Sequence, residues 1–133
     1  MRKKSFKKQV KRISRVFDKW IQPLGLGLWG IKIHYRDRVQ PSGEVDGADV
    51  AMSVVAQWQY LRADIEVFVP SVRTLGDKDL ELYVVHELMH IFVNEMHELS
   101  DTANHEERVC ESLAKAVLWA VKYIGDPNAE AKE

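Results

Sequence analysis

Two histidines and a glutamate stand together in the run His86-Glu87-Leu88-Met89-His90. Residues four apart on a helix lie one above the other, so both imidazoles can bind one ion. Glu87 lies about 100° around the helix from His86, where its carboxylate can reach a water on the ion without binding the ion. Zn²⁺ makes such a water acidic, and a glutamate can carry its proton to a leaving amine. The pattern therefore predicts a zinc site for peptide hydrolysis, with Glu87 as the general base.

The residues around this motif predict a buried helix from Asp77, as N-cap, to about residue 97. Apolar groups surround most of that helix, which is typical of a central one: Leu80, Leu82, Tyr83, Val84, Val85, Leu88, Met89, Ile91, Phe92, Val93 and Met96. Two histidines and a glutamate are costly to desolvate there without a partner, and a metal ion provides one. The alternative is a pair of ordinary helix histidines, because this five-residue pattern also arises by chance.

A catalytic zinc site usually has three protein ligands, so two histidines leave one to be found. The metzincin extension is excluded, because Val93 and Met96 occupy the positions of its glycine and third histidine. His97 lies about 10 Å along the helix axis from the motif, too far to share the ion. On the next predicted helix, Glu106 and Glu107 both flank the apolar stripe, and periodicity does not choose between them.

A family resemblance bears on that choice. The segment Glu107-Arg108-Val109-Cys110-Glu111-Ser112-Leu113-Ala114 resembles the Glu-Arg-x-Ala-Asn-x-Phe-Ala element of the minimal gluzincin metallopeptidases. The resemblance implies that Glu107 is the third zinc ligand. Glu106→Ala is then expected to leave the metal content near that of the wild type, and to cost little stability if the Glu106 side chain is solvated. It also implies a zincin-like fold, a phage or prophage setting and an intracellular protein or peptide substrate. Cys110 and Glu111 depart from the family's Ala and Asn, so the contacts behind the ligands are expected to differ.

Several assignments have alternatives. Glu107 could instead belong to a capping box, at the third helical position after Asn104 as N-cap. His34, Tyr60 and His105 are candidates for stabilising an oxyanion, although each is also typical of a surface residue. Cys110, the single cysteine, is interpreted as a small core residue.

The remaining elements predict an α+β fold with a twisted sheet of three or slightly more strands. An amphipathic helix covers about residues 4–20, and a turn follows at Pro23 and Gly25. Alternation predicts strands at 30–36, 50–58 and 63–69, of which the last two form a hairpin, with a loop at 37–48 and the sheet closed by Pro70. The stripe of the last helix consists of Cys110, Leu113, Ala114, Val117, Val121 and Ile124, and Gly125-Asp126-Pro127 ends that helix.

The length of 133 residues predicts a single domain over 1–133, with a tail from about 126 to 133. No apolar run reaches the roughly 18 residues of a spanning helix, and no signal-peptide pattern follows the basic N-terminus. We therefore expect a cytoplasmic protein without a membrane partner. One cysteine cannot form an internal disulfide, which fits a reducing compartment. An extended peptide substrate is expected to bind along a sheet edge by strand addition.

The N-terminal segment has a charge pattern of its own. Residues 1–20 contain nine Lys or Arg and one acid, Asp18, so the remaining residues are net acidic. Apolar residues recur at helical spacing among those cations, which favours a helix packed on the domain with a solvated basic side. The alternative function is a nucleic-acid-associated protein that uses this basic helix, with zinc structural or the site degenerate. A protein-interaction module with a degenerate site is a third hypothesis.

Overall fold

Four helices and one sheet make up the described part of the chain. The computed structural model describes residues 2–43, 47–94 and 103–125. In chain order the elements are α1 (Lys3–Ile21), β1 (Gly30–Arg36), β2 (Met52–Gln57), β3 (Arg62–Phe68), α2 (Val69–Val72), α3 (Asp77–Val93) and α4 (Ala103–Gly125). The predicted α+β class is therefore confirmed, with three strands in a mixed sheet. None of the helices in these ranges combines the length and apolar character needed to cross a bilayer.

The sheet has strand order β1-β3-β2, with β1 parallel and β2 antiparallel to the central strand β3. The predicted hairpin joins β2 to β3 through a single 3₁₀ turn, Trp58–Tyr60, which Leu61 closes in the left-handed conformation at φ 51°. Alternate residues of β3, at 63, 65 and 67, are buried against the helices. The opposite face carries charged pairs, so the sheet is covered on one face only.

Helix α1 packs its apolar stripe into the core. Ile13 and Phe17 are fully buried, and Trp20 is 3% exposed. The indole N–H of Trp20 donates to Glu81 of α3 at 3.1 Å. After α1, Gly25 adopts φ +77°, a conformation that glycine reaches without strain and that turns the chain toward β1.

Helix α3 lies at the centre, where it packs against α1, β2 and α4. Its buried residues lie on nearly all sides of the helix, as predicted for a central one: Leu80, Val84, Val85, Glu87, Leu88, Met89, His90 and Ile91. The predicted start is wrong by one residue, because Gly76 is the N-cap and Asp77 already lies in the first turn. The described helix ends at Val93 rather than near residue 97, and residues 95–102, which include His97, lie outside the described residues.

Two other predictions need correction. Pro70 does not simply close the sheet: it lies in the first turn of α2, where a missing N–H costs no hydrogen bond. On α4, Cys110 and Ala114 are buried as predicted, whereas Leu113 and Val121 are 39% and 49% exposed. Leu113 lies about 60° around the helix from Cys110, at the margin of the contact with α3. Val121 borders an open cleft between α1, α3 and α4.

Candidate metal centre

His86 and His90 present their rings on one side of α3, facing α4. Their ring centroids lie 5.1 Å apart, as one helical turn requires. The side chains are 13% and 10% exposed, so the surrounding protein covers most of each ring.

Glu107 of α4 joins the two histidines. One carboxylate oxygen, Oε2, lies 3.0 Å from Nε2 of His86, and the other, Oε1, lies 2.9 Å from Nε2 of His90. Ligand atoms of these three residues all lie within 4.8 Å of one another. The group can therefore hold a metal ion, with two imidazole nitrogens and one carboxylate as donors.

The far nitrogen of each ring also contacts a carboxylate. Nδ1 of His86 lies 2.7 Å from Oε2 of Glu111, and Nδ1 of His90 lies 3.0 Å from Oε2 of Glu106. Such carboxylates fix the tautomer and the orientation of a metal-binding histidine. Three glutamates from the first turns of α4 thus surround the two histidines of α3.

Counting protons tests whether a cation fits between these groups. The two histidines make four contacts with carboxylate oxygens, while two neutral imidazoles carry only two N–H groups. If the Nδ1 atoms donate to Glu111 and Glu106, both Nε2 lone pairs face the oxygens of Glu107 at repulsive distances. A metal ion or two additional protons resolve this arrangement. The donor set therefore suits a divalent cation on the Nε2 side of the rings.

Glu87 follows His86 on α3 and is only 8% exposed. Burial and, to a smaller extent, the negative charges of Glu107 and Glu106 together raise the pKa of its carboxyl from 4.5 to about 8. Ionising this carboxyl in the metal-free chain therefore costs free energy. Raised carboxyl pKa values of this kind are common in sites where a side chain transfers a proton.

A cavity of about 220 Å³ opens beside two of the three donor residues, His86 and Glu107. Leu82, Tyr83, His86, Glu87, Glu107 and Glu111 line it. Glu87 therefore faces the same space as His86 and Glu107. Tyr83 was not predicted as a site residue, although its position one turn before His86 on the same helix was a usable signal.

Glu106 is not solvated, so the condition under which Glu106→Ala was expected to cost little stability is not met. Its side chain is 18% exposed, whereas that of Glu107 is 74% exposed. The physical reason is that each histidine has two ring nitrogens: Glu107 contacts one side of the rings, and Glu106 contacts the far nitrogen of His90. The role of Glu111 also went unpredicted, although it lies four residues after Glu107 and so on the same side of α4.

The weaker candidates lie elsewhere. His34 pairs with Asp64 at 2.9 Å on the outer face of the sheet, and Tyr60 is 71% exposed in the hairpin turn. Neither belongs to the group that can hold a metal. Helix α4 already includes Ala103, so Asn104 falls inside the helix instead of capping it. The side chains of Asn104 and His105 lie outside the described residues.

Comparison of the chain with protein-family models, with curated proteins and with solved structures finds no match.

Proposed function

We propose that this protein is a zinc-dependent peptidase. The observation that carries the proposal is the convergence of His86, His90 and Glu107 within 4.8 Å, beside the buried carboxyl of Glu87 and at the wall of a cavity. Metal donors, a group for proton transfer and space for a substrate are thereby combined in one place.

Zinc is the metal that this donor set favours. Two imidazole nitrogens and one carboxylate are the ligands of several catalytic zinc sites, which keep one position open, whereas structural sites usually have four ligands rich in cysteine. Zinc held by these residues would supply an acidified water near neutral pH and a Lewis acid for a carbonyl group. Glu106 and Glu111 would hold the two imidazoles in the tautomer that leaves each Nε2 free to bind.

Glu87 is proposed as the general base. Its carboxyl lines the cavity and has no hydrogen bond or ion pair to another described residue. Its raised pKa suits a group that accepts a proton from the attacking water and then delivers it to the leaving amine. The positive charge of a bound cation would favour its ionised form, so the group would be basic only when the site is loaded.

An extended peptide is the proposed substrate. Strand β2 packs against α3 and pairs with β3 alone among the named strands of the described residues, so its other edge can accept a strand. The resemblance of residues 107–114 to the minimal gluzincins supports the same class of reaction. It also supports an intracellular protein substrate and a phage setting as parts of the proposal.

The test replaces the base and leaves the metal ligands intact. We expect Glu87→Gln to retain bound zinc and to lose hydrolysis of an unfolded protein substrate, because the amide cannot accept the proton. Glu66→Gln, on the outer face of the sheet, is the matched control and should keep both properties. Undiminished peptidase activity in Glu87→Gln would remove Glu87 from the mechanism.

A further inference from the structure

A stripe of cations runs along the solvent side of α1. Lys4, Lys8, Lys11 and Arg15 are all exposed, and on a helix their directions fall within about 60° of one another. We call these four residues the basic stripe. It lies opposite the buried residues Ile13, Phe17 and Trp20, so it projects away from the core.

The basic stripe is not neutralised within the described residues. The ion pairs that α1 makes there use Arg12, which contacts Asp77, and Lys19, which contacts Glu81. Neither residue belongs to the stripe. The charge is also segregated over the sequence, because residues after 20 carry ten Lys or Arg against nineteen acids.

This arrangement works against the stability of α1. Like charges three or four residues apart on a helix repel each other. The first turn contains Lys3 and Lys4, no acid and no capping side chain, although the positive end of a helix disfavours cations. These repulsions do not stabilise a helix face that only contacts water. A bound polyanion would reduce both the repulsion among the cations and their repulsion by the positive end of the helix. We propose that the basic stripe binds the phosphate backbone of double-stranded nucleic acid without sequence preference.

The remaining polyanions fit less well. Helices that bind at a lipid interface insert apolar groups, but the apolar side of α1 is buried in the core and none of the exposed large hydrophobic residues lies on α1. Single strands are held by exposed aromatic groups that stack on bases, and none of the aromatic residues of α1, which are Phe6, Phe17 and Trp20, is exposed. Binding to the phosphates of a duplex requires only positive charge on the protein. The stripe spans about 16 Å of helix axis, a length over which B-DNA carries about ten phosphates.

Fluorescence anisotropy of a labelled duplex of arbitrary sequence tests this inference. Four phosphate contacts predict a slope of log K against log salt of about −3.5, or roughly a hundredfold weaker binding at 200 mM than at 50 mM salt. Replacing the four stripe residues by Gln should abolish most of the binding and make the slope shallower by about one per lost cation. The matched control replaces four exposed cations elsewhere by Gln, namely Lys32, Arg62, Arg73 and Lys78. It removes the same charge and should retain binding.

Three results would overturn the inference: no duplex binding at 50 mM salt, an equal loss in the control variant, or tighter binding to oligo-dT or to phosphatidylserine vesicles than to the duplex. The readout is independent of the proposed peptidase activity. Glu87→Gln should bind the duplex like the wild type, so failure of one proposal leaves the other intact.

Discussion

Replacing the buried carboxyl of Glu87 by an amide should stabilise the metal-free protein. The pKa of Glu87 is raised from 4.5 to about 8, chiefly by burial. A carboxyl whose pKa is higher in the folded state contributes stability that is fully present below pH 4.5 and lost as the pH rises through about 8. At pH 7 the folded chain must bind a proton at Glu87 that the unfolded chain does not bind. This lowers the free energy of unfolding by about 1.4 kcal/mol for each pH unit between 4.5 and 7, or by about 3 kcal/mol.

Glu87→Gln avoids this cost, because an amide of the same size needs no proton. We expect the variant to exceed the wild type in free energy of unfolding by about 3 kcal/mol at pH 7, or roughly 10 °C in Tm, and to differ little near pH 4.5. The assay is denaturant unfolding at several pH values with a chelator present. The histidine contacts remain in both proteins, so the difference between them isolates Glu87.

The control Glu66→Gln makes the same substitution on the outer face of the sheet, away from the metal centre. The reasoning would be refuted if the difference in free energy of unfolding between Glu87→Gln and the wild type were the same at pH 5 and pH 7. It would also be refuted if Glu87→Gln were less stable than the wild type at pH 7. Either result would mean that Glu87 is not held in a desolvated, acid-rich site in the metal-free chain.

Three further predictions follow from the site. Glu107→Ala should weaken zinc binding more than Glu106→Ala does. Glu106→Ala should still lower the zinc affinity about 10- to 100-fold, because Glu106 orients His90. Competition with a chromophoric chelator measures both affinities, and a wild-type affinity in Glu106→Ala would show that Glu106 has no such role. Burial and then the charges of Glu106, Glu107 and Glu87 raise the pKa of the Cys110 thiol from 9.0 to about 12, so its thiolate is about a thousandfold rarer at pH 8 and disulfide reagents should label it only after unfolding. Rapid labelling of the native chain would contradict this. Tyr83→Ala should raise the KM for peptides because Tyr83 lines the cavity, whereas Tyr60→Ala in the distant hairpin turn should not.

Periodicity predicted much of the fold, because burial on one side leaves a readable pattern. Strand β1 begins at Gly30 and ends at Arg36, as the alternating segment predicted. Apolar residues on nearly all sides of α3 predicted its central position. Periodicity failed to predict burial where neighbouring elements cover only part of a helix. Leu113 and Val121 share the apolar spacing of α4 yet are half exposed, because a sequence pattern does not show how far a neighbouring element extends.

Periodicity predicted the centre only as far as its spacing along one helix. His86, Glu87 and His90 lie on a single turn, so their geometry follows from the helix itself. Glu106, Glu107 and Glu111 come from another helix whose rotation about its axis is set by packing, and periodicity could not rank them. The packing of the two helices decides which of these carboxylates faces Nε2 and which faces Nδ1 of the rings.

Metal analysis of the purified chain tests the central claim most directly. The protein, prepared without chelating resin, should contain about one zinc per chain, and the double variant His86→Ala/His90→Ala should contain none, because it keeps only one of the three donors. The double variant His34→Ala/Asp64→Ala, which removes a similar pair on the outer face of the sheet, should keep its zinc. A wild type without metal, or full zinc content after the loss of both His86 and His90, would contradict the account.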